Sequence, residues 1–479
     1  MSRSAILRAS LCLALSACGN GRGGDGPPAQ IDNPLVANLD VSEVAFFQTL
    51  KTSISGKAAT ADAVPIVAGK AGMLRVYVAP KAGYVPHEVL ARVELTGGGK
   101  ALTPIEQKLV LSTSSVEGDL TTTVNFDLTA EQVTADLTFS VGLYEPTSGD
   151  QQAGAAGARY PAAGEAKLGA IASGVVKINL IPIAYGADGS NRVPATDAAM
   201  LASFKARMMA LYPVTDVDIT VGSPIPWTRK IGADGSGWDS LLNAMINQRA
   251  RDGAAPDVYY YAVFAPAANF DVYCQQGCVL GLSPVADDPM DEYSRVSIGV
   301  SYPGKDVGSD ETFVHEVGHA HGRQHAPCDV TDEDPSYPYA DAAIGSWGYD
   351  AAAKLLYDPA GQMHDMMGYC DPIWISDYTY DALFTRVRAV DGVQPERRVA
   401  PARWKSIVIG ADGTPTRGEV VTMARPPMGR DKTVHRVTRA GTDTVVGRYY
   451  AFDHLPGGIL FVRESDDVGT LRVDGLKVE

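Results

Sequence analysis

His315-Glu316-Val317-Gly318-His319-Ala320-His321-Gly322-Arg323-Gln324-His325 holds four of the eight histidines in a chain of 479 residues. Positions i and i+4 share one face of a helix, so His315 and His319 offer two imidazoles to one metal ion. Glu316, beside the first of them, is placed to reach a water at that metal. Gly322 follows about a turn later, where a residue free to take positive φ ends a helix and swings the chain round. That swing returns His325 as a third ligand. Three protein ligands with one open position describe a catalytic zinc site, not a closed structural one. His321 lies about 240° round the helix from His315 and is expected to face away from the metal.

The whole pattern, HExxHxxGxxH, resembles the zinc signature of the metzincin clan of metalloproteases. Members of that clan carry a Met-turn beneath the metal. His364-Asp365-Met366-Met367-Gly368-Tyr369-Cys370 is similar to it, with Met367 as the floor methionine. The Met-x-Tyr spelling resembles the astacin, serralysin and pappalysin branches, which implies that Tyr369 touches zinc or stabilises an oxyanion. Ala326, directly after the third histidine, matches no well-known branch, and no cysteine-switch segment precedes the motif.

Outward from the motif, periodicity predicts a strand over Val175 to Tyr185, a helix over Ala195 to Leu211 and a strand over Val217 to Val221. An amphipathic helix follows Ser236, then strands over Val258 to Ala265 and Arg295 to Val300. The zinc helix begins at Ser309-Asp310-Glu311, with an N-cap and an acidic first turn that suit its dipole. Ile375 to Val390 closes the unit. This order resembles the metzincin fold of twisted sheet, backing helix, zinc helix and Met-turn, and places an α+β catalytic domain at 175–393.

Short β-prone runs joined by polar turns give an antiparallel sandwich and linker at 35–174, with Gly149 to Gly169 read as a long loop. Pro65-Ile66-Val67-Ala68-Gly69-Lys70 is similar to the β-domain that precedes the catalytic domain in secreted mucin-cleaving metzincins of enteric bacteria. Residues 394–479 read as a small β-sandwich. Neither flank shows chemistry of its own.

Residues 1–18 are a targeting segment: Arg3 and Arg8, a short apolar core, then Leu15-Ser16-Ala17-Cys18. The last four resemble a bacterial lipobox, in which Cys18 is lipidated. Gly19 after it resembles outer-membrane sorting, with a soluble secreted form as the alternative. Residues 19–34, rich in Gly and Pro, form a flexible tether. The membrane is thus expected as a partner only through the lipid, and the chain as a monomer. A net charge of −15 without a basic run excludes nucleic acid.

Export makes Cys274, Cys278, Cys328 and Cys370 disulfide candidates. Four cysteines allow three connectivities; Cys274–Cys278 with Cys328–Cys370 is preferred, and a four-cysteine zinc site is the alternative. Asp329, Asp332, Glu333, Asp334 and Asp341 raise a weaker expectation of calcium. The reading is an exported zinc endopeptidase acting on proteins or glycoproteins, with Glu316 as general base. Its rival is a tethered binding protein whose metal is structural.

Overall fold

The computed structural model describes residues 33–56, 64–285, 287–303, 308–330, 332–391, 401–423, 425–465 and 469–479. The leader with Cys18 and nearly all of the tether lie outside them. Among the described residues no helix is long and apolar enough to cross a membrane. The fold is α+β.

The strand Val258–Phe264 shows how the central layer is built. Tyr259, Tyr261 and Val263 point into one core, while Tyr260, Ala262 and Phe264 point into another. A strand covered on both faces belongs inside a sheet layered by helices. Its sheet runs Asp216–Val221, Val175–Tyr185, Val258–Phe264, Val296–Val300, Gly281–Leu282. Neighbours are parallel except at the last pair, so Gly281–Leu282 is an antiparallel edge.

The helices are α1 (Ala198–Leu211), α2 (Trp238–Asp252), the single turn α3 (Phe270–Tyr273), α4 (Ser309–Ala320) and α5 (Asp377–Asp391). On one sheet face α1, α4 and α5 bury Phe204, Met208, Phe313, Val317, Leu383 and Val387. On the other, α2 buries Trp238, Leu242 and Ile246. Phe204 stacks on Phe313 at 4.6 Å, and the Tyr212 hydroxyl donates to the Val314 carbonyl at 2.8 Å. Helix α1 thereby fixes α4, which carries the histidine motif. The cap position of α4 is Gly308, at φ 66° and with no side-chain cap bond, not a serine as the sequence suggests. The acidic first turn is held instead by Arg207, which lies 2.8 Å from Glu311.

The N-terminal region forms a four-stranded and a six-stranded antiparallel sheet. Phe46, Leu74 and Phe126 from one share a core with Val93, Phe139 and Val141 from the other. Thr49 joins this region to the helical unit: its hydroxyl donates to the Ala210 carbonyl at 2.8 Å, and its carbonyl accepts from the Trp374 indole at 3.1 Å.

Two expectations need correction. The stretch from Gly149 to Gly169 is not a linker. It adds the short strands Arg159–Tyr160 and Ala166–Lys167 to the larger sheet. Its small residues permit a close approach: a Cβ at Gly157 would lie 1.9 Å from the Asp40 carboxylate. The C-terminal region is not a sandwich but one seven-stranded antiparallel sheet. Its own apolar cluster, around Ile407, Val434 and Leu460, is small. It takes α2 as its second layer, with Trp404, Val421 and Phe461 joining the core of Trp238 and Leu241. That packing brings the loop between Gly441–Ala451 and Gly458–Arg463 to the motif helix.

Candidate active site

Helix α4 turns His315 and His319 to the same side, with their Nε2 atoms 3.0 Å apart. Each Nδ1 lies 2.7 Å from a backbone carbonyl, of Met366 for His315 and of Arg323 for His319. A carbonyl only accepts, so each Nδ1 carries the hydrogen and each Nε2 is a bare lone pair. Two bare nitrogens facing each other at that distance repel unless a cation stands between them. Gly322 takes φ 85°, and the Arg323 amide bonds back to the Gly318 carbonyl at 3.0 Å. The chain then returns His325, whose ring centroid lies 4.6 Å from that of His319. Burial holds His315 and His319 well below the ordinary imidazole range and His325 at about 3. All three are neutral and able to ligate.

The segment 364–370, expected to be a Met-turn, lies against this helix. A Cβ at Gly318 would stand 2.5 Å from the Met367 sulfur, so Met367 in this position requires a glycine there. Asp365, fully buried, shapes the turn by accepting the amides of Met367 at 2.8 Å and Ser376 at 2.7 Å. The Ala326 amide donates to the Met367 carbonyl at 3.0 Å, which ties the third histidine to the turn. Tyr369 reaches over it, with its hydroxyl 3.2 Å from His325 Nε2.

Glu316 is buried against the edge strand. A Cβ at Gly281 would lie 2.1 Å from its Oε1. Burial pushes its carboxyl up to about 8. A carboxylate with an affinity for protons near neutrality is suited to take and return one.

Two residues that sequence reasoning missed complete the cluster. His454 Nε2 lies 2.8 Å from Glu316 Oε1, and His454 Nδ1 meets the Tyr369 hydroxyl. Asp453 is buried, with Oδ2 3.3 Å from His319 Nε2, and burial beside Glu316 drives its carboxyl well up. One nitrogen from each of His315, His319, His325 and His454 falls within 4.8 Å of the others. Glu316 Oε2 and Asp453 Oδ2 are buried with no hydrogen-bond partner. The bare nitrogens of His315 and His319, the adjoining rings of His325 and His454 and the two unpartnered carboxylate oxygens gather into a donor set for a divalent cation, and the imidazoles suit zinc.

The remaining candidates lie elsewhere. His321 stacks on Tyr259 at 4.3 Å and belongs to the core. His364 bonds the Asp341 carbonyl at 2.7 Å, away from the cluster. The cysteines form Cys274–Cys278 and Cys328–Cys370, which removes them as ligands. Among the described residues the acidic stretch offers no group of three converging ligands. Asp334 is engaged by Arg323 at 3.2 Å and Tyr378 at 2.9 Å.

Residues 290–371 match the family model described as Peptidase M66. That stretch contains the three motif histidines, Glu316, Met367 and Tyr369, and ends before Asp453. The match supports a metallopeptidase family and a peptidase function. No curated protein matches the chain. Among solved structures, one described as a chaperone–substrate complex aligns with a TM-score of 0.25 and 11% identity, over 56% of this chain. The chain spans 39% of that structure's length. A β-glucuronidase from Parabacteroides merdae aligns at a TM-score of 0.13 and 9% identity, over 92% of this chain and 77% of its own. Similarity at this level carries no argument about fold or function.

Proposed function

We propose that this chain is a zinc-dependent endopeptidase of metzincin type. The observation that carries this is the pair of bare Nε2 atoms of His315 and His319 at 3.0 Å, with the buried Glu316 carboxyl next to them. His315, His319 and His325 would hold the ion. When bound, it supplies a Lewis acid that brings the acidity of water to about pH 7. Glu316 takes the proton of the attacking water and passes it to the leaving amine. Tyr369 places its hydroxyl to donate to the carbonyl oxygen as charge builds there. A cleft of about 900 Å³, lined by Phe270, Leu280, Thr312 and Tyr357, leads to Glu316 and Tyr369. The edge strand Gly281–Leu282 borders it, and an unpaired sheet edge accepts an extended peptide. The substrates are extracellular proteins or glycoproteins, met by an exported chain that Cys18 anchors through lipid.

One observation favours a non-catalytic binding protein with a structural metal: His454 supplies a fourth imidazole, and closed sites are structural ones. Cleavage decides between the two. Zinc-loaded and chelator-stripped protein lacking residues 1–18 are incubated with casein and with a heavily glycosylated mucin, and fragments are read by mass spectrometry. Internal cuts that vanish with the chelator and return with zinc establish the endopeptidase. Zinc bound one to one with no cut in either substrate, by wild type and by His454→Ala alike, leaves the binding protein.

The close approach at the edge strand gives a further expectation. Gly281→Ala places a methyl where the Glu316 carboxylate stands. A shift of about 1 Å in a catalytic group costs on the order of 10²-fold in rate, so cleavage falls by that order while bound zinc is unchanged. Unaltered cleavage would show that Glu316 works from a different position.

A further inference from the structure

We propose that His454, carried by the C-terminal sheet, is a fourth metal ligand that closes the coordination sphere and so makes peptide cleavage depend on displacement of its loop. The inference rests on the zinc endopeptidase reading of the same site and adds a regulator to it.

Three observations carry it. First, a nitrogen of His454 lies within 4.8 Å of one on each of the three motif histidines. Four nitrogens around a zinc ion at tetrahedral bond lengths stand about 3.3 Å apart, and the closest pair here is already at 3.0 Å. The imidazole therefore takes the place that water needs in a catalytic site. Its Nε2 lies 2.8 Å from Glu316 Oε1; one ring nitrogen serves either that carboxyl or the ion, so the ring stands against the proposed base as well as against the metal.

Second, the loop is joined to the edge strand as a substrate would be. Pro284 and Phe452 form an antiparallel bridge. The Asp453 amide donates to the Ser283 carbonyl at 3.2 Å, and the Ser283 amide donates to Asp453 Oδ1 at 2.9 Å. An extended peptide adding to Gly281–Leu282 and continuing in register meets pairing groups already taken.

Third, the loop divides the cleft. The 900 Å³ cavity reaches His315, Glu316 and His454 from one side. A second cavity of about 230 Å³, lined by Asp288, His319, His325, Arg430 and Asp453, reaches the histidines from the other. An endopeptidase holds chain on both sides of the scissile bond, and Asp453-His454 stands between the two halves. Removing the loop would join them.

The far end of the loop is anchored. The turn Leu455-Pro456-Gly457-Gly458 follows His454, and Gly457 takes φ 105° with no room for a Cβ. The sheet itself is held by its apolar face on α2. Phe452 and Leu455, on either side of Asp453-His454, pack into that same core, so the displacement is confined to the two residues between them.

The test uses the chain without residues 1–18 as wild type, His454→Ala, His454→Phe, His319→Ala and Glu316→Ala. His454→Phe keeps the ring volume and covers the case in which the alanine variant folds poorly. Zinc affinity is measured by competition with a chromogenic chelator, coordination by the visible absorption of the cobalt(II)-loaded chain, and cleavage on casein. For His454→Ala and His454→Phe the expected results are zinc affinity weakened by about tenfold or more, a cobalt spectrum altered as water replaces the fourth nitrogen, and faster cleavage than wild type. Unchanged affinity and spectrum overturn the fourth-ligand assignment. Slower cleavage with unchanged metal binding also overturns it, and makes His454 part of the working machinery. The two readings fail differently. Zinc retained at full affinity by His319→Ala defeats the metal site itself. An opened spectrum in His454→Ala with no more cutting than Glu316→Ala defeats the peptidase and leaves the four-histidine site standing.

Discussion

Glu316→Ala is expected to reduce casein cleavage by about 10²- to 10⁴-fold, the range that a positioned general base supplies, while one zinc ion still binds. The separation of the two effects follows from where the carboxyl sits. Glu316 is on α4 between the two ligands of that helix, but neither imidazole depends on it. His315 is oriented by the Met366 carbonyl and His319 by the Arg323 carbonyl. The helix is held beneath Glu316 by backbone, since the Glu316 carbonyl accepts from Ser283 at 2.8 Å and Ser297 at 3.0 Å. The truncation therefore leaves the proposed metal ligands in place and removes the proposed proton carrier. It also deletes the acceptor of the His454 bond, so the comparison is made in the wild-type and His454→Ala backgrounds. The loss should be large in both, and easier to read in the second. Loss of zinc along with activity would show that Glu316 organises the metal site. Full activity would move the base to another residue, and Asp453 is the nearest carboxylate in the cluster.

How much of this site a sequence discloses depends on the range of the contacts. The histidine motif is legible because its geometry is local: helical periodicity pairs His315 with His319, and Gly322 returns His325 within six residues. The segment around Met367 draws attention through its resemblance to a Met-turn, and pairing of Cys328 with Cys370 follows from what that bond would brace. Asp453 and His454 are not legible in this way. His454 meets Glu316 across 138 residues, and the meeting depends on how a whole sheet packs on α2. The signal available was one of elimination: only four histidines lie outside the motif, and His454 sits in an acidic, glycine-ended turn. The misread stretch from Gly149 to Gly169 fails for a related reason. Gly and Ala are poor strand formers by propensity, yet their small size is what lets that segment lie against Asp40. In the C-terminal region a β-rich unit is legible, but not that its strands form one sheet, because nothing in a β-prone run says which layer will cover it.

Removing the Cys328–Cys370 disulfide with serine at both positions is expected to lower unfolding stability by about 4 kcal/mol on the chain-entropy account of loop closure. The bond spans 42 residues. It joins the segment just after His325 to the residue after Tyr369, so the loop it closes runs from the third ligand to the Met-turn. Removing Cys274–Cys278, which spans only 4 residues, should cost about half as much by the same relation. The comparison matters more than either value, because both variants lose two sulfurs and gain two hydroxyls while differing about tenfold in loop length. Guanidinium unfolding of the zinc-free chain gives both numbers. Once folded, the long-loop variant should still bind zinc near wild-type affinity. The local geometry has other supports: the Ala326 amide bonds the Met367 carbonyl at 3.0 Å, and the Tyr369 amide bonds the Cys328 carbonyl at 3.0 Å. Equal losses from the two variants would mean that the 42-residue loop is already restricted in the unfolded chain. A folded double serine variant that no longer binds zinc would mean that the disulfide positions His325 directly. The site would then depend on oxidation, and the chain would reach its metal only in the compartment where that bond forms.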